Sequence, residues 1–390
     1  MMENVPPDSD AQTHNQHLQT LIRTEIERRG GQITFARYME LALYAPGQGY
    51  YSAGARKFGE AGDFVTAPEF APLFSRCVAR QCRQVLAYLG KGDVLEAGAG
   101  TGAMAAEVLA ELDALGCLPE RYFILDLSAD LRQRQRETLE RRAPHLLDRV
   151  RWLDRPPDSG FTGVVLANEL LDAMPVHLFR MGEEGPQELY VGIEDDRFVW
   201  RVGPLSDPRL GERVAAIVAE QGPLPLGYTS EINLAAEGWV RGLVDWFERG
   251  LALFIDYGFP RREYYHHERS GGTLMCHYRH RAHPDPLILT GLQDITAHVD
   301  FTAVAEAAVE VGLAVAGYTT QAYFLLGSGL MEMAGESHPD DTRQHLALMQ
   351  KIKKLTSPSE MGELFKVIAL TRGIDLPLIG FSFQDQRGRL

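Results

Sequence analysis

The sequence predicts an α/β protein built on a doubly wound, Rossmann-like parallel sheet. Three observations carry this. An apolar burst, Val94-Leu95, runs through Glu96 into alternate glycines, Gly98, Gly100 and Gly102, and a helical pattern follows at Met104, Val108, Leu109 and Leu112. A second apolar run, Arg121 to Leu127, ends at Asp126. Predicted strands at 94–97, 122–127, 149–153, 163–167, 251–256, 313–318 and 364–370 mostly alternate with helical patterns at 101–115, 128–142, 233–249 and 301–311.

Taken in order, residues 1–16 read as a polar, disordered lead-in. They carry neither an apolar signal core nor an Arg-rich presequence, so a cytoplasmic location is expected. Residues 17–90 read as a helical cap and loop. Leu18, Leu21, Ile22 and Ile26 mark one helix face, stopped by Gly30-Gly31, and Thr34 is placed to cap a second helix. The glycine-rich stretch Ala45 to Gly54, with Tyr50 and Tyr51, continues through GDFVTAPEF and is expected to wall the site. Pro68-Glu69 then opens a long helix ending at Gly90. Residues 91–390 form the main domain, with insertions at 176–232, an antiparallel meander, and 259–299, rich in His, Tyr and Arg. The meander offers an edge that could pair two subunits. Asp300 is expected to cap the 301–311 helix.

Composition narrows the function. The chain of 390 residues carries a formal net charge of −14, which weighs against nucleic acid as the main partner and suits a basic protein. No apolar run reaches the ~18 residues of a membrane span. Four cysteines show no CxxC spacing, and His266, His267, His277, His280, His283 and His298 show no zinc spacing, so no metal is expected. His283 or His298 is a candidate base or substrate contact.

The glycine turn and Asp126 suggest an adenosine-type ligand. In doubly wound sheets an acid at the second strand's end grips ribose hydroxyls, and Asp126 lies 24 residues past Gly102, near the usual spacing of about 20. Gly98-x-Gly100-x-x-Ala103 also fits the relaxed dinucleotide fingerprint. Glu96 discriminates: a carboxylate there would repel a pyrophosphate but suits an amino group or cation. S-adenosylmethionine has an amino acid part, a sulfonium and no phosphate. Thr101 and Ser128 complete the candidate cofactor set on these two turns. Asn168 and Glu169 end the strand TGVVLAN and would border the sulfonium. Methyl transfer needs in-line placement, and a guanidinium acceptor needs carboxylates to hold it. Glu169, Asp172 and Asp256 are the candidate catalytic acids, with Tyr50, Tyr51, Glu231, His283 and His298 as candidate substrate contacts. Alternative readings of the first two acids and of Glu231 are a helix-terminal acid cluster and a cap.

Glu96-x-Gly98-x-Gly100-Thr101-Gly102 is similar to the first motif of class I methyltransferases. With PGQGYY, GDFVTAPEF, ANELLDAMPV, SEIN, LFIDYG and DITAHVDF in this order, the sequence resembles the MidA-type S-adenosylmethionine-dependent methyltransferases over residues 33–330. The resemblance implies a class I fold and methylation of an arginine on a respiratory complex I core subunit, the activity of the mitochondrial member. It also implies that the GDF loop, Gly62 and Asp63 included, borders the cofactor. Asp126 departs from the glutamate expected at the ribose position, but remains an acid. The chain reads as bacterial, so its acceptor can differ. Rivals are a small-molecule methyltransferase, an assembly chaperone with vestigial methylation, and an NAD-linked dehydrogenase, which Glu96 disfavours.

Overall fold

A computed structural model describes residues 9–52, 66–335 and 342–390. Gly62 and Asp63 lie outside these residues.

The central sheet contains β1 (Asp93–Ala97), β2 (Tyr122–Leu125), β3 (Val150–Leu153), β4 (Phe161–Asn168), β5 (Phe247–Phe259), β6 (Ala314–Thr320) and β7 (Phe365–Arg372). Their spatial order is β3-β2-β1-β4-β5-β7-β6. The first five are parallel, and β7 runs antiparallel to both β5 and β6. The expected all-parallel sheet is therefore mixed on one side. Between β6 and β7 the chain forms the helices Gln321–Gly327, Leu330–Gly335, Thr342–Thr356 and the short Met361–Leu364, and β7 then runs back antiparallel beside β6. The order reverses between β1 and β4, which opens the ligand crevice at their C-terminal ends.

The chain itself explains the layers. Alternate residues of the buried strands face opposite sides. Val94, Val164 and Leu253 pack with Cys77, Val78 and Val85 of one helical layer. Leu95, Val165 and Phe254 pack with Val240, Phe301 and Val304 of the other. The longer helices are α1 (Ser9–Arg28), α2 (Phe35–Tyr44), α3 (Pro72–Leu89), α4 (Ala103–Ala114), α5 (Ala129–Arg142), α6 (Pro208–Gln221), α7 (Leu234–Gly242), α8 (Phe301–Glu310) and α9 (Thr342–Thr356), with shorter helices and turns between. Thr34 and Asp300 cap α2 and α8 through their side-chain oxygens, as their sequence positions predict.

Four expectations change. α1 begins at Ser9, so the predicted lead-in is helical from there, and His14 and Asn15 bond Gln48 and Thr290. The helix opened by Pro68-Glu69 is broken after Phe70, because Pro72 starts a new helix at its first turn. The predicted helix 233–249 ends early, since Phe247 and Arg249 already pair with Phe161 and Thr162. The strand Gln32–Thr34 from the cap joins the meander, pairing with Gly185–Glu194.

That meander sheet also contains His177–Gly182, Arg197–Gly203 and Thr229–Ile232, and Arg197–Gly203 has one strand partner among the described residues. The cap, the meander and the 259–299 insertion share a core, where Leu18, Ile22 and Tyr38 meet Leu178, Val191 and Ile295. The insertion itself forms a three-stranded sheet of Met275–Tyr278, Arg281–His283 and Asp294–Thr296. The C-terminal segment seals the edge of β6, with Gln386 N donating to Tyr318 O at 2.6 Å.

Candidate active site

The site begins at the turn between β1 and α4. Gly98, Gly100 and Gly102 all take left-handed backbone, with φ of 70°, 54° and 82°. A side chain on Gly102 would come within 3.0 Å of the Gln135 Cα, so α5 packs directly onto the turn. One on Gly98 would meet Leu170 at 2.9 Å, so the loop after β4 packs onto it from the other side. Added at Gly100, it would meet none of the described residues within 4 Å, which leaves that backbone open to a ligand.

Asp126, just past β2, is nearly buried, and burial raises its pKa. Its Oδ1 accepts from Ser128 N at 2.9 Å and its Oδ2 from Gln135 Nε2 at 2.8 Å. Gln135 Nε2 also lies 3.1 Å from Gly100 O. One amide therefore ties the acid to the glycine turn. Ser128 Oγ caps α5 by accepting from Leu131 N, so its hydroxyl serves the helix. Leu127, 80% exposed beside Asp126, presents apolar surface.

Glu96 departs from the expected open position. It is 1% exposed, with its carboxylate accepting the Tyr122 hydroxyl at 2.5 Å, and burial raises its pKa to about 7. It lies beneath the turn. Thr101 donates its hydroxyl to Glu69, at the end of the segment that follows the GDF stretch.

At the end of β4, Asn168 Nδ2 donates to Glu169 Oε1 at 3.1 Å, and Asn168 Oδ1 is buried without a partner. Glu169 holds φ of 50°, a strained conformation for a residue with a side chain. Asp256 accounts for it. Its Oδ2 accepts from the backbone N–H groups of Leu170, Leu171 and Asp172 at 3.1, 2.9 and 3.3 Å, and its Oδ1 from Tyr257 N at 3.0 Å. Asp256 thus positions the acid loop; the expectation that it meets the acceptor is replaced, because its oxygens are committed to backbone.

Glu169, Asp172 and Asp256 share one pocket of charge. Burial raises the pKa of all three, to about 8 for Glu169 and about 6 for Asp172. They cannot all ionise without a cation between them. Asp256 has backbone donors at both of its carboxyl oxygens. Asp172 Oδ1 is buried with no partner, and the Tyr257 hydroxyl approaches its carboxyl and moderates the rise.

The aromatic wall divides. Tyr51 stacks on Tyr44 at 5.5 Å and donates to Asp294 Oδ1 at 2.8 Å, while Tyr44 donates to Ala173 O. Tyr44 feels Asp294, Asp172 and Asp126 together, so it lies between the acid loop and the cofactor turn. Tyr50 is buried in the cap core and serves packing rather than substrate.

Glu231 is also structural. Its oxygens accept from Thr273 N, Leu274 N, Tyr264 OH, Thr273 Oγ1 and Ser230 Oγ, which fastens the 259–299 insertion to the meander. His283 sits in the three-stranded sheet opposite Cys276, away from the acid loop's hydrogen bonds. His298 contacts the rings of Tyr257 and Phe259 at 5.2 and 5.4 Å, and burial lowers its pKa to about 4.

Sequence reasoning missed Gln135, Glu69 and Tyr44. Gln135 left a signal: it falls in register with Leu131, Thr138 and Leu139 on the buried face of α5.

The open Gly100 backbone, the tethered Asp126 and the unpartnered Asn168 carbonyl suit S-adenosylmethionine: backbone and acid for the nucleoside, and an acceptor for an ammonium group. The comparisons agree. Residues 77–319 match the Methyltransf_28 family of S-adenosyl-L-methionine-dependent methyltransferases. A COG1565 superfamily structure from Burkholderia thailandensis, bound to S-adenosyl-homocysteine, superposes with a TM-score of 0.95 at 49% identity, covering 99% of this chain and 100% of that one. The Drosophila melanogaster mitochondrial protein arginine methyltransferase NDUFAF7 homolog is 29% identical over 90% of this chain and 86% of its own length. Its Homo sapiens counterpart is 27% identical over 94% and 85%. The chain belongs to this family of S-adenosylmethionine-dependent class I methyltransferases.

Proposed function

We propose that the protein methylates an arginine side chain of a protein acceptor. The observation that carries this is the pair Glu169 and Asp172, which no cation among the described residues pairs with and which lies beside the cofactor turn through the Leu170–Gly98 contact. A guanidinium is planar and permanently charged, and two carboxylates at one mouth complement it. The names of the relatives, and the MidA resemblance with its complex I core subunit, support the same acceptor class.

S-adenosylmethionine, when bound, supplies a methyl group on a sulfonium for displacement at carbon. The protein's own residues do the rest. Gln135 and Ser128 fix Asp126 for the ribose. Asp256 holds the 170–172 backbone beside Glu169, and Asp172 is near enough to act on the Glu169 charge. An entering guanidinium favours their ionised forms and expels their protons. After transfer, a carboxylate with a pKa near neutrality takes the proton from the acceptor nitrogen. Tyr44 and Tyr51 wall the space beside them.

The test is methylation of cell extract with labelled donor, followed by acid hydrolysis. Label in methylarginine, lost with Asp172→Asn, supports the reading; label confined to small molecules overturns it.

A further inference from the structure

Beyond the acid loop lies a cluster of positive groups that the reaction as described does not use. Phe259, at the end of β5, has the Arg269 guanidinium 4.3 Å from its ring centroid and the Lys366 ammonium 5.4 Å from it. His298 stacks on the same ring at 5.4 Å and touches Tyr257, whose hydroxyl approaches Asp172. The cluster is therefore one ring removed from the acids.

Its polar groups are only partly satisfied by the described residues. Arg269 forms no ion pair among the described residues, and its Nε is buried without a hydrogen-bond acceptor. Lys366 is 6% exposed, and its ammonium meets only the backbone carbonyls of Glu363 and Leu364. The nearby carboxylate of Glu263 is taken by Arg389. His298 Nδ1 is buried and unpartnered. Two cations beside one apolar ring repel each other and lose hydration, a cost that an anion shared between them would remove. Burial lowers the Lys366 pKa to about 8, although the carboxylates of Glu263 and Glu363 act in the opposite direction.

We propose that Arg269, Lys366 and His298 form a carboxylate subsite, which selects acceptors bearing an acidic residue next to the methylated arginine. The inference rests on the arginine reading above. Glu169 and Asp172 hold the guanidinium, and the neighbouring carboxylate reaches across Tyr257 to the cations. The two subsites are of opposite sign, so an acceptor docks in one orientation.

The test uses the full chain saturated with S-adenosylhomocysteine and capped tripeptides: Gly-Arg-Gly, Asp-Arg-Gly, Gly-Arg-Asp, and the Asn forms of the last two. Calorimetry should show one Asp peptide binding at least tenfold tighter than its Asn form. Lys366→Met and, at a more open position, Arg269→Gln should each erase that difference while Gly-Arg-Gly binding is kept. Equal binding of Asp and Asn forms overturns the subsite and leaves the arginine reading standing. If no peptide binds, Gly-Arg-Gly included, the arginine reading fails and the subsite falls with it.

Discussion

Gln135 Nε2 stands 2.8 Å from Asp126 Oδ2 and 3.1 Å from Gly100 O, so a single side-chain amide couples the acid after β2 to the glycine turn after β1. Trp152 in turn holds that amide, donating its indole N–H to Gln135 Oε1 at 3.0 Å. Gln135→Leu removes the coupling but keeps the volume. It should weaken S-adenosylhomocysteine binding by up to about 1.5–3 kcal/mol, the worth of a hydrogen bond to a charged group. Calorimetry of the variant, with its melting curve as a fold check, measures this.

Asp256 separates positioning from chemistry. Asp256→Ala strips the acceptors from four backbone N–H groups at once. The expected stability loss is about 3–5 kcal/mol, and the milder Asp256→Asn keeps one acceptor oxygen. Asp256→Asn should lower kcat while leaving cofactor affinity within about twofold, because the glycine turn is untouched. A matching loss in both would place Asp256 in the cofactor site instead.

Glu169 makes stability fall as pH rises. Its folded pKa, about 8, lies above the ordinary carboxyl value of 4.5. The folded state then holds a proton that the unfolded state has released between those values. Its contribution is fully present below pH 4.5 and lost as pH passes through about 8. Glu169→Gln, which never ionises, should raise Tm relative to wild type at pH 8.5 and leave it nearly equal at pH 4.5. Thermal melts at the two pH values check the sign.

Glu231→Gln tests the reassignment of that residue. Its carboxylate joins two insertions through Thr273 and Leu274. The substitution should cost about 1–3 kcal/mol of stability. Per folded molecule, methylation of a saturating acceptor should be unchanged.

The sequence made the scaffold legible where local pattern and tertiary role coincide. β1 with its glycine turn, β2 with Asp126, and the capped helix at Asp300 all follow from periodicity and turn chemistry. The antiparallel direction of β7 was hidden, because an apolar run does not record its direction in a sheet. The acids were legible as residues but not as roles. Glu169, Asp172, Glu231 and Asp256 look alike in sequence, and only their backbone partners separate the two that face the site from the two that brace it. Tyr44 and Gln135 reach the site from distant segments, and their side chains read as ordinary core positions of a helix.

The most direct measurement of the central claim, that the turn at Gly98–Gly102 and Asp126 bind S-adenosylmethionine, is a calorimetric titration of the purified protein with S-adenosylhomocysteine, beside NAD and an Asp126→Ala variant. The account predicts micromolar binding, no response to NAD, and a loss of about 1–3 kcal/mol in the variant from broken charge-assisted hydrogen bonds. Unchanged affinity in Asp126→Ala, or binding of NAD in preference, would contradict it.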